Sequence, residues 1–162
     1  METHTDLQLH PSDASSLPSS SGVQAVKIQL ISNNIGYGPP PNCDDEVEQR
    51  LTLTANGRVW VSSYSYGSGD GHYKLNYIKR YKIDTAKARS ILSAFSHFFY
   101  QQFTPYFATD IGYWKLRITV ADGTASRFAG SLCADYMVNG ASLSDLLRKS
   151  LCAKSLWCFK EV

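Results

Sequence analysis

The run VEQRLTLTA, the pair Asn56-Gly57 and the run RVWVSSYSY constrain the fold more than any other stretch of this chain. Polar and apolar residues alternate on both sides, the two-residue period of strands with one buried face. Asn-Gly supplies the positive φ angles that a tight hairpin turn demands. A two-residue loop sets Leu53 against Trp60, Leu51 against Ser62, Gln49 against Tyr64 and Val47 against Tyr66, and predicts that these pairs face the core. Arg50, Thr52 and Thr54 then share the other face with Ser63, Val61 and Val59. A chain built around such a hairpin is committed to antiparallel pairing.

The same alternation marks a strand over Val23 to Ile31 and another over YKLNYIKRYKI, residues 73–83. Asp84 is placed to cap a helix. Beyond it, Ala88, Ile91, Leu92, Phe95, Phe98 and Phe99 recur every three and four residues, an apolar stripe broad enough to cover a sheet. YWKLRITV predicts a further strand, and Asp122-Gly123 turns it back into Ala125 to Leu132. A strict two-residue loop there puts Phe128 on the face opposite Ile118, so a longer loop or a bulge is expected. Ser142 with Asp145 has capping-box-like spacing ahead of Leu143, Leu146, Leu147 and Leu151, which predicts a short helix. LWCF reads as a last strand. The order β-β-β-β-α-β-β-α-β defines an α+β fold, an antiparallel sheet of hairpins packed on one long and one short helix.

Residues 1–22, rich in Ser with Pro, Thr and His, carry no periodic apolar pattern and read as a disordered tail. Residues 23–162 read as a single domain. Within it, NNIGYGPPPNCDD holds three consecutive prolines and two glycines and predicts a long loop.

Composition narrows the classes of function. Of 162 residues, 43% are hydrophobic and 19% charged, the balance of a globular protein. No apolar run is long enough to span a bilayer, and the first residues lack the basic start and apolar stretch of a signal peptide, so the expected location is the cytoplasm, with no membrane partner. Sixteen Lys and Arg against fourteen Asp and Glu give +2, far from the excess of a protein that coats nucleic acid. Four cysteines, Cys43, Cys133, Cys152 and Cys158, lack the closely spaced pairs of a zinc site and read as reduced thiols, the last three in apolar surroundings. No motif points to a metal or a cofactor.

Three constellations carry possible chemistry. Tyr37, Tyr64, Tyr66, Tyr73 and Tyr106 exceed what turns and strand ends need, and tyrosine buries a large area with few rotors while keeping a polar tip. They mark a protein-facing patch. Lys74, Arg80 and Lys82, with Lys115 and Arg117, form a basic stripe beside tyrosines, where phosphates are neutralised and unpaired bases stack; Asp44, Asp45, Glu46 and Glu48 just upstream oppose that field. Asp70 and His72 in GSGDGH form an acid/base pair without a nucleophile motif. The glycines of GSGDGH read as a hairpin loop, since no helix follows to complete a phosphate cradle.

ATDIGYWKLRITVADG, followed by RFAGSLC and LSDLLR, resembles a group of small uncharacterised proteins of Gram-positive bacteria and their mobile elements, over roughly Glu46 to Val162. The resemblance carries no activity and assigns no site residue. The leading expectation is a non-enzymatic protein-binding module with an unidentified protein partner, such as an inhibitor, immunity or accessory protein, phage- or plasmid-borne and of the anti-defence kind. The alternatives are a nucleic-acid-binding protein that uses the basic, Tyr-flanked strand, and a small hydrolase or transferase centred on Asp70 and His72.

Overall fold

The computed structural model describes residues 23–69 and 71–162; the expected tail over 1–22 and Asp70 lie outside the described residues. Six strands, β1 (Ala25–Asn33), β2 (Glu46–Thr54), β3 (Arg58–Ser65), β4 (Lys74–Lys82), β5 (Tyr113–Val120) and β6 (Ala125–Ser131), form one antiparallel sheet in the order β4-β3-β2-β1-β5-β6. The first four strands are a meander. Helix α1 (Thr85–Gln101) then carries the chain from the β4 edge back across the sheet, so that β5 pairs on the free side of β1. A two-stranded hairpin, β7 (Met137–Val138) and β8 (Ala141–Ser142), precedes helix α2 (Leu143–Ser150). The α+β architecture read from the sequence is the one observed.

One sheet face is core. Ile28 and Leu30 of β1, Leu51 and Leu53 of β2, Val59 and Val61 of β3, and Leu116 and Ile118 of β5 pack with Ala88, Ile91, Leu92, Phe95 and Phe99 of α1. Removing each of these large side chains from water stabilises the fold by about 1.5–3 kcal/mol. Beside them lies an aromatic cluster in which Phe99, Phe103, Trp114, Tyr136 and Phe159 meet with ring centroids 5.0–6.2 Å apart. Gly130 makes room for it, since a Cβ there would sit 2.7 Å from the Trp114 indole.

The hairpin register differs from the two-residue expectation by one position. Leu53 pairs with Val59, Thr52 with Trp60 and Leu51 with Val61. The loop is Ala55-Asn56-Gly57, closed by the Gly57 N–H donating to the Thr54 carbonyl (2.9 Å), with Gly57 alone at positive φ (+86°). This is a three-residue turn ending in a glycine bulge. Trp60, Ser62 and Tyr64 therefore leave the core face, and Val59, Val61 and Ser63 take their place, because a slip of one residue exchanges the two faces of a strand. The β5–β6 loop, Ala121-Asp122-Gly123, has the same form, with Ile118 opposite Ser126 and Leu116 opposite Phe128. The longer loop expected there is present.

Three local expectations are corrected. LWCF forms no strand; Leu156, Trp157, Cys158 and Phe159 are buried in a turn-rich strap joined to the rest by one isolated bridge, Cys133 to Lys160. Polar side chains on the core face hold the strap's backbone. Ser32 donates to the Cys158 carbonyl (2.5 Å), the Trp157 N–H donates to Gln49 Oε1 (2.9 Å), and Arg148 of α2 donates to the Leu156 and Trp157 carbonyls (2.7 and 3.0 Å). Asp84 precedes α1 but its side chain makes no capping bond, whereas Ser142 does cap α2, accepting from the Asp145 N–H at 3.0 Å. Cys152 is exposed, and only Cys158 of the three thiols read as apolar is fully buried.

Candidate functional site

Both helices and the strap lie on the core face, and among the described residues no element covers the other face of the sheet. Register places its side chains in four rows that cross β4, β3, β2, β1, β5 and β6 in turn. The first row holds Lys82, Arg58, Thr54, Lys27, Thr119 and Ala125. The second holds Arg80, Trp60, Thr52, Gln29, Arg117 and Arg127, and the third Ile78, Ser62, Arg50, Ile31, Lys115 and Ala129. The fourth, Leu75, Tyr64, Glu48, Asn33, Tyr113 and Ser131, lies next to the loops.

Eight of the sixteen Lys and Arg of the chain stand on this one face: Lys27, Arg50, Arg58, Arg80, Lys82, Lys115, Arg117 and Arg127. Among the described residues its one carboxylate is Glu48, 4% exposed, which accepts from Arg50 Nε at 2.6 Å and from Asn33 Nδ2 at 3.0 Å. Among the described residues, Arg50 is the only one of the eight cations in an ion pair. Two pairs of like charge face each other directly across neighbouring strands, Arg58 with Lys82 and Arg117 with Arg127. Like charges in that position repel and cost stability. Lys115, Arg117 and Arg127 rim a groove of about 490 Å³ with Gln29, Ile31 and Ala129 beside them. Rings adjoin the cations: Arg50 lies 4.4 Å over Tyr64 and Lys115 4.8 Å over Tyr113.

Of the basic stripe read from the sequence, Arg80, Lys82, Lys115 and Arg117 share this face, on strands at opposite sides of the sheet. Lys74 does not. The bulge at Ser63/Tyr64 sets it opposite Ser65, on the core-face side, 3.7 Å from Asp44. The stripe read from the sequence leaves out Lys27, Arg58 and Arg127, and also Arg50, although Arg50 is placed on the outer face; Trp60 is assigned to the core because the register of its hairpin slips by one.

The five tyrosines do not form one patch. Tyr64 is on the open face, while Tyr66 and Tyr73 lie 6.4 Å apart beyond the end of β3 and Tyr73 meets Asn33 (3.2 Å). Tyr37, 89% exposed, and Tyr66 border a hollow of about 720 Å³ against the Pro-rich loop. Tyr106, 58% exposed, belongs to another loop, with Phe107 beside it at 67%. Those two loops touch where Gly36 packs on the Asp110 carbonyl. His72 is exposed, and its expected partner Asp70 lies outside the described residues. Among the described residues no group of three or more His, Cys, Asp or Glu is placed to hold a metal, and no helix is long and apolar enough to cross a membrane.

No protein-family model, curated protein or solved structure matches the chain.

Proposed function

We propose that this protein binds nucleic acid on the open face of its sheet. The observation that carries the reading is the pairing of like charges, Arg58 with Lys82 and Arg117 with Arg127, without a carboxylate between them among the described residues. Such pairs cost the free protein stability, and a bound phosphate turns the cost into binding energy by bridging both cations. The fixed array of cations from all six strands, rather than the net charge of +2, then sets affinity. No catalytic step is part of this reading.

Fluorescence anisotropy with labelled mixed-sequence RNA and DNA 20-mers, titrated from low to high salt, tests it. Binding should weaken steeply with salt, and the double variant Arg117→Ala/Arg127→Ala should lower the salt slope by about 0.7–0.9, as expected for the one bridged phosphate no longer neutralised. Lys74→Ala should leave affinity unchanged, since Lys74 points the other way. Absence of binding at low salt, or an equal loss in the Lys74 variant, would sink the proposal.

A protein partner at the loop end is the second reading, favoured by the exposure of Tyr37, Tyr106 and Phe107. Rings of this size left in water are what an interface core uses. A protein retained on the full chain after nuclease treatment tells the two readings apart.

A further inference from the structure

The cations of the open face fall mainly into two banks. Arg58, Arg80 and Lys82 stand on β3 and β4, and Lys115, Arg117 and Arg127 on β5 and β6. Between them, on β3, β2 and β1, the face carries Trp60, Thr52, Gln29 and Ile31, with the two remaining cations Lys27 and Arg50 beside them. Trp60 differs from the two other tryptophans, Trp114 and Trp157, which are buried. Its indole is half-buried on the open face, with Arg80 directly opposite, and it makes no ring contact among the described residues. A duplex hides the faces of its bases and offers a uniform phosphate surface, which is a poor match for an indole and an isoleucine lying between two cationic banks. An unpaired strand matches both parts, since its phosphates meet the banks and its bases expose the π-faces that stack on aromatic rings.

Resting on the nucleic-acid reading above, we infer that the ligand is an unpaired strand lying across the sheet, at right angles to its strands, with one base stacked on Trp60. The fourth row closes the alternative path towards the loops, because the buried Glu48 carboxylate lies in it and Tyr73 is bonded to its Asn33 from the loop side. Six strands at about 4.8 Å spacing give a track roughly 24 Å wide. That span holds about seven nucleotides at the stacked spacing of about 3.4 Å, and fewer if the strand is extended.

The test uses the full chain and labelled single-stranded oligonucleotides of three to fifteen residues, beside a duplex of the longest. The single strand should bind at least tenfold tighter than the duplex, with affinity rising up to about seven nucleotides and then levelling. Trp60→Ala should weaken single-strand binding about tenfold or more, while Trp60→Phe, which keeps a ring, should retain most of it. Should Trp60→Ala fail to fold, the comparison of single strand with duplex and the length series on the unaltered chain decide alone. A duplex bound as tightly as the single strand, or a Trp60→Ala effect below twofold in a folded variant, overturns this inference while leaving the nucleic-acid reading in place. No binding of either form overturns both.

Discussion

Cys158 shows how burial sets chemistry at a single residue. It lies in the C-terminal strap at φ +59°, with no exposed surface, and burial pushes its thiol up from the ordinary value of 9.0 to about 12. Cys43 and Cys152 are exposed. Alkylation at pH 8 under native conditions should modify those two and spare Cys158 until denaturant is added, with peptide mass mapping as the readout; native labelling of Cys158 would contradict its burial. The same shift makes stability depend on pH. Between about pH 9 and 12 the unfolded chain loses this proton while the folded chain keeps it, so stability falls as pH rises through that window, by about 1.4 kcal/mol per unit. Other groups titrate there as well, so the measurable quantity is the difference between the wild-type chain and Cys158→Ala in denaturant melts at pH 8 and pH 10.5.

Among the elements, two hairpins carry the same turn and are unequally legible. At Asp122-Gly123 a two-residue loop sets Phe128 against the face of Ile118, and that conflict announces the longer loop. At Asn56-Gly57 no conflict arises. Both Val59 and Trp60 are apolar, so either register buries something hydrophobic, and alternation alone cannot choose between them. The structure chooses the pairing that buries Val59 and Val61 and turns Trp60 outward. Gly57 locks this choice, since it is at φ +86° and its backbone is packed on the end of β4, where the Ile83 N–H donates to its carbonyl at 2.8 Å. A side chain there meets the Ile83 carbonyl, while Gly123, at φ +88°, has open space around it. Gly57→Ala should therefore destabilise by about 2–3 kcal/mol and Gly123→Ala by about 1 kcal/mol, the backbone strain alone. Urea melts that rank them in reverse would refute the packing argument.

Across the protein as a unit, the sheet is a partition: its core face carries helices, strap and aromatic cluster, and its open face carries half of the cations. The strap is held by bonds remote in sequence, such as Gln49 with Trp157, 108 positions apart. Gln49→Leu leaves the buried Trp157 N–H without an acceptor and should cost about 1–3 kcal/mol in a urea melt; no change would show that the strap needs no such anchor. Arg148, 15% exposed at its side chain, is spent on holding the strap and is absent from the open face. The six strands of the main sheet, the two helices, the Ser142 cap and the α+β class were legible in the residues alone, because periodicity, turns and caps are local properties of a chain; the last strand expected at LWCF is absent and the β7–β8 hairpin was not expected. Arg80, Lys82, Lys115 and Arg117 were legible as a basic group, but with Lys74 among them and Trp60 assigned to the core. Which phase of β3 faces away from the helices, how β5 comes to flank β1 with β6 beyond it, and hence that eight cations share one surface, came from the folded arrangement. Net charge is a sum over the chain, whereas a binding face is an arrangement in space, and strand order and register fix it through pairings that no short window of sequence contains.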